Sequence, residues 1–239
     1  MRRLPVLAWT VAMTLAMLFV LGCGGRTIRL GVQPSVDGGQ PCGKGQIKPS
    51  EVIWIGDSWI LLPAAAPVHM CLRDLARQAG SLGSTEDYTV LAAPAKSMSD
   101  IANQYRTEED SPSKVKVVLM DGGTWDTIQQ KGSAASVSAA ASSFDLFLSQ
   151  AASDGTVESI VYFLPPDLAS IPGVKDLRPL FQASCAKSSV PCYFLDLQDF
   201  ADHPDYTDSS SGIGVPTALG SQVVAQRMWS IMQTECIAQ

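Results

Sequence analysis

The sequence predicts an α/β protein with three layers, a five-stranded parallel sheet held between helices. Two observations carry this. Short apolar runs at 52–55, 88–93, 115–120, 159–164 and 192–197 are each bounded by Gly, Pro or Asp, and read as buried strands. Between and after them, 64–80, 98–106, 134–152, 177–185 and 217–232 have helical character. Strands that alternate with helices require right-handed crossovers and helices on both faces of a parallel sheet.

Each element has a local reason. The first strand runs Val52-Ile53-Trp54-Ile55 and stops at Gly56-Asp57-Ser58. The first helix has Leu72, Leu75 and Ala79 at helical spacing and Gly80 as its stop. Ser97 with Asp100 three residues on makes a capping pair for the short helix at 98–106. The third strand ends at Asp121-Gly122-Gly123, the alanine-rich segment at 134–152 is a helix, and Pro165-Pro166 breaks the fourth strand.

The chain divides into residues 1–22, 23–50 and 51–239. Arg2 and Arg3 precede an uncharged apolar run from Leu4 to Leu21, which closes on Gly22-Cys23. This resembles a bacterial lipobox, which implies that Cys23 is acylated and becomes the mature N-terminus. A single transmembrane anchor is the other reading of a run only just long enough to span. Residues 23–50, rich in Gly, Pro, Gln and Ser, read as a tether, and the rest suffices for one domain. The expected address is a lipid anchor on the bacterial membrane, at the outer membrane or cell surface, and Gly24 is compatible with outer-membrane sorting.

Net charge is −6, and loss of Arg2 and Arg3 with the leader makes it −8. An acidic chain with scattered Lys and Arg has no nucleic-acid footprint. Export permits disulfides. Cys185 and Cys192 flank a turn-like Ala-Lys-Ser-Ser-Val-Pro and are the first choice for a bridge. Cys42 with Cys71 is a second choice, which leaves Cys236 over. No cysteine or histidine spacing suggests zinc, and no cofactor is implied. A monomer is expected.

Gly56-Asp57-Ser58 at the end of a buried strand, followed by this order of elements over 51–239, resembles the SGNH or GDSL hydrolase family. The resemblance implies a flavodoxin-like three-layer fold and ester hydrolysis with Ser58 as nucleophile. It also implies oxyanion donors from the Ser58 backbone, from a glycine after strand 2 and from an asparagine after strand 3, with an Asp-x-x-His before the last helix. Here Ala95 stands at the glycine position. Its backbone N–H survives as a donor if no left-handed φ is required. Trp125 stands at the asparagine position, in Gly123-Thr124-Trp125-Asp126, as a shifted indole donor or as a hydrophobic plug over the strand end. Ser211 and Gly214 stand at the Asp and His positions. Losing one donor costs about 3 kcal/mol, whereas losing the base of a serine triad costs about 8 kcal/mol. The pair Ser211→Asp with Gly214→His is therefore expected to restore more activity than Trp125→Asn.

Two histidines exist. His69 reads as a packing or surface residue of the first helix. His203 lies in the loop after strand 5, eleven residues before Gly214, and at about 3.3 Å per residue it can reach the rim. Asp199, Asp202 or Asp208 could orient it, or it is a solvated loop residue. Asp196, Asp199, Asp202, Asp205 and Asp208 recur every third residue, as a solvated acidic loop or an oxygen-rich calcium site without EF-hand spacing. Two functions remain open. One is a degenerate, much-impaired ester hydrolase that binds an acylated envelope ligand or a partner protein. The other is an active esterase on acyl or acetyl esters, of small molecules or glycans, with Ser58 as nucleophile and His203 as base.

Overall fold

The computed structural model describes residues 47–109, 114–210 and 212–238. The leader, Cys23, Cys42 and Ser211 lie outside these residues. Strands β1 (Val52–Ile55), β2 (Thr89–Val90), β3 (Val117–Met120), β4 (Ser159–Leu164) and β5 (Cys192–Asp196) form one sheet. All its pairings are parallel, in the order β2-β1-β3-β4-β5. That is the flavodoxin-like order, which places the switch point of the topology between β1 and β3. The five-stranded α/β architecture is the one the sequence predicts.

The sheet is buried on both faces because its side chains alternate with period two. Val52, Trp54, Val117, Leu119, Val161 and Phe163 pack on one side, against helices α1 (Ser58–Leu61), α2 (Val68–Ala79) and α7 (Ala218–Thr234). Ile53, Ile55, Val118, Met120, Ile160 and Tyr162 pack on the other, against α3 (Met98–Glu109), α5 (Ala134–Asp154) and α6 (Val174–Lys187). The remaining helix, α4 (Thr124–Gln129), follows β3 directly. Phe144 of α5 stacks on Phe181 of α6 with ring centroids 4.6 Å apart. Burial of one large apolar side chain is worth roughly 1.5–3 kcal/mol, so these two layers hold the sheet.

The helix bounds differ from expectation where local chemistry intervenes. The helix expected from residue 64 starts at Val68, because Pro67 caps it in an extended conformation. Ser97 and Asp100 form the expected reciprocal cap, with the Asp100 N–H donating to Ser97 Oγ at 3.2 Å and the Ser97 N–H to Asp100 Oδ2 at 3.1 Å. The second strand shortens to two residues at the sheet edge. Ile47 already packs on the core, ahead of the expected start at 51. Two further short strands, β6 (Thr207–Asp208) and β7 (Val215–Pro216), pair antiparallel and pin the loop before α7. That helix starts at Thr217, whose Oγ1 accepts the Gly220 N–H at 3.0 Å. Gly220 lies so close beneath the Tyr206 carbonyl that an added Cβ would meet its oxygen at 2.0 Å.

Cys185 and Cys192 form the expected bridge, with Cα atoms 5.2 Å apart. It ties the end of α6 to the start of β5. Cys71 and Cys236 are also disulfide-bonded, so Cys236 is not left over and no described cysteine is free. Among the described residues no helix is long and apolar enough to cross a membrane.

Candidate functional site

At the switch point the end of β1 turns sharply. Gly56 has φ +145°, and an added Cβ would lie 2.0 Å from Asp121 Oδ1. Glycine is required here by both backbone conformation and space. Gln104 of α3 holds the turn from the other side, accepting the Gly56 N–H at 2.7 Å and donating to its carbonyl at 3.1 Å. Asp121 ends β3 and is fully buried. Its carboxyl accepts the Asp57 N–H at 2.5 Å, together with N–H groups of Trp59 and Ile60. Helix α1 has no side-chain cap of its own, so a residue from the neighbouring strand satisfies its first donors. Burial first, and the Asp57 charge second, push the Asp121 carboxyl well above the usual carboxylate range.

Ser58 opens α1 and is only 8% exposed. Its Oγ donates to Asp57 Oδ1 at 2.9 Å. The same oxygen accepts the Lys96 N–H at 3.2 Å, and Thr124 Oγ1 donates to Asp57 Oδ2 at 3.4 Å. Burial raises the pKa of Asp57 against the lowering effect of these hydrogen bonds. Asp126 of α4 accepts the Met98 N–H at 2.8 Å, and burial raises its pKa as well.

Ala95 adopts φ +59°. The left-handed conformation is thus required, and alanine accepts it at a cost of roughly 1 kcal/mol. Its N–H still faces the serine, 3.4 Å from Ser58 Oγ. Trp125 lines the cleft beside Ser58, together with Thr124, Ile128, Ile171, Ile213 and Gly214. The cleft holds about 10 Å³ of water-accessible space, enough for about one water molecule.

The structure corrects one expectation at Gly214. This residue is buried, and its carbonyl accepts the Trp59 indole N–H at 2.9 Å. An added Cβ would meet Leu168 Cδ1 at 2.3 Å and Ser170 Oγ at 3.1 Å. The end of the half-buried Leu168 side chain therefore occupies the space an imidazole would enter, and Gly214→His requires that side chain to turn aside. The other half of that pair, Ser211, lies outside the described residues.

Ser58, Ala95, Trp125 and Gly214 thus share one rim, as the parallel topology requires. His203 does not line the cleft. It is exposed and stacks on Tyr206 with ring centroids 4.7 Å apart. Of its expected partners, Asp199 is committed to Arg227 by two hydrogen bonds of 2.8 and 2.5 Å, and Asp208 accepts the Ser210 N–H. His69 Nδ1 donates to the Ile60 carbonyl at 3.0 Å, one turn along from Ser58. Asp196 pairs with Arg178, and no three acidic, histidine or cysteine side chains gather for a metal among the described residues. Sequence reasoning overlooked Asp121, Gln104 and Ile171. Asp121 had a usable signal, a charged residue directly after an all-apolar strand.

No family model matches the chain, and no curated protein sequence matches it. Solved structures do. The acetyl xylan esterase AlAXEase superposes with TM-score 0.58 at 14% identity, over 75% of this chain and 98% of that one. A family 3 carbohydrate esterase of Clostridium thermocellum gives TM-score 0.58 at 15% identity, over 78% and 96%. A protein described as a GDSL-like lipase, from Parabacteroides merdae, gives 0.59 at 15%, over 82% and 99%. The chain therefore has the three-layer fold of the SGNH esterases.

Two stability changes follow from this geometry. Ala95→Gly should raise stability by up to about 1 kcal/mol, since it removes left-handed strain and keeps the N–H. Gly214→Ala should lower stability by about 1 kcal/mol, because the end of the Leu168 side chain must turn aside. Urea denaturation midpoints of the purified variants check both.

Proposed function

We propose that this chain, with its SGNH-esterase fold, is an exported lipoprotein that binds an acyl or acetyl ester, or an envelope partner, with turnover much impaired. The observation that carries this reading is Gly214. Where the family resemblance calls for the catalytic histidine there is a buried glycine, with the end of the Leu168 side chain 2.3 Å from where a Cβ would sit. A serine triad without its base loses about six decades of turnover. The loss of the asparagine donor at Trp125 removes two to three more. The floor of the cleft keeps a hydroxyl and a donor, Ser58 Oγ with the Ala95 N–H 3.4 Å away, and its walls from Trp125, Ile128 and Ile171 are apolar, though they must part before an acyl group can enter.

The ligand class follows from the same floor, since a small ester carbonyl matches a hydroxyl and a backbone donor between apolar walls. The esterase names of the structural neighbours support that choice of chemistry as an analogy of fold. A monomer with no nucleic-acid partner fits the acidic chain.

Hydrolysis of a short-chain p-nitrophenyl ester by the purified protein should stay below about 1 per second. Faster turnover that disappears in both Ser58→Ala and His203→Ala would make the chain an active esterase instead. The lipid anchor is tested separately. Cys23→Ser should abolish incorporation of labelled fatty acid in the producing bacterium, and persistent labelling would remove the lipoprotein reading.

A further inference from the structure

The Ser58 hydroxyl has a single proton, and the structure directs it to a carboxylate at 2.9 Å rather than to an imidazole. We propose that Asp57 is the proton acceptor that activates Ser58, leaving the chain a slow serine acyl transfer that needs no histidine. The inference rests on reading the cleft as the place where an ester carbonyl reaches Ser58.

Three features of the geometry support it. The carboxylate is fixed on both oxygens, by the Lys96 N–H on Oδ1 and by the Thr124 hydroxyl on Oδ2. Asp57 and Ser58 are 3% and 8% exposed, so little water competes for either group. With its proton given to Asp57, Ser58 Oγ keeps lone pairs for attack, and the Ala95 N–H, which donates to that oxygen at 3.4 Å, is long enough to be drawn off by a carbonyl oxygen bound beside it. The groups facing Asp57 are the carboxyls of Asp121, directly after β3, and of Asp126 from α4, together with the backbone N–H of Lys96 from the segment after β2. Burial raises the proton affinity of Asp57, the direction a general base requires.

The chemistry balances without a further reactant. Ser58 Oγ bonds to the ester carbonyl carbon as its proton passes to Asp57 Oδ1. The tetrahedral adduct then breaks its bond to the alcohol oxygen, which takes that proton from Asp57 and leaves. Water attacks acyl-Ser58, giving a proton to Asp57, and collapse releases the carboxylic acid and returns the proton to Ser58.

The test mixes purified protein with p-nitrophenyl acetate and follows p-nitrophenolate release, with acetyl-Ser58 read by peptide mass spectrometry. Wild type should form acetyl-Ser58, and Ser58→Ala should not. Asp57→Asn should acylate at least about 100-fold more slowly, the usual contribution of a general base. Its thermal stability should stay close to wild type, because the amide oxygen can keep the Ser58 and Lys96 hydrogen bonds while the Thr124 hydroxyl turns to accept from the amide NH2. The proposal is overturned if Asp57→Asn acylates at the wild-type rate, if the loss follows His203→Ala instead, or if wild type forms no acetyl-Ser58. Equilibrium dialysis with 4-nitroacetanilide, the unreactive amide analogue, reads ester-site binding independently. Binding without acylation sinks the Asp57 role and leaves the binding function standing, whereas no binding removes both.

Discussion

The buried hydrogen bond from the Asp57 N–H to the Asp121 carboxyl joins the ends of β1 and β3 at the one place where the chain reverses its direction of winding. It replaces a helix cap that α1 lacks, and it forces Gly56 to be a glycine because the carboxyl lies where a Cβ would be. The position of Ser58 is thereby set from two strands at once. A buried carboxyl is expensive unless it is paired or protonated. Here three backbone donors and a raised pKa meet that cost together. Everything on the rim is referenced to this contact, since Thr124 and Lys96 reach the site through Asp57.

The floor and the roof of the cleft have diverged in different ways. On the floor, Ala95 holds a left-handed φ and aims its N–H at Ser58 Oγ. On the roof, Gly214 has become a packing residue, locked by the Trp59 indole and overlaid by Leu168. A larger side chain at that position would have to displace the end of Leu168. The carboxylate of Asp57, by contrast, is already in hydrogen-bond contact with the Ser58 hydroxyl.

Much of this was legible in the sequence, for physical reasons that can be named. Strands buried on both faces read as continuous apolar runs, so 159–164 was readable to the residue as β4. Ser58, Ala95 and Trp125 were found because each follows a strand, and a parallel sheet brings all such ends to one edge. Helices α1 and α4 were not legible. They span four and six residues, too short for a period to emerge, and the first depends on a cap 64 positions away. The crowding at Gly214 was equally hidden, since it comes from Leu168, a contact between distant loops that no local pattern encodes. Nor could the spacing of the aspartates reveal that Asp196 and Asp199 are each held by an arginine.

The short β2 has a colloidal consequence. A sheet edge with many unpaired backbone groups is a template for edge-to-edge aggregation. Here one edge strand is only two residues long. The other, β5, is half-buried, with Tyr193 bonded to Glu235 beyond α7 and Cys192 anchored to α6. Neither edge offers a long exposed ladder to a second molecule. Such blunted edges would limit edge-to-edge polymerisation at high protein concentration.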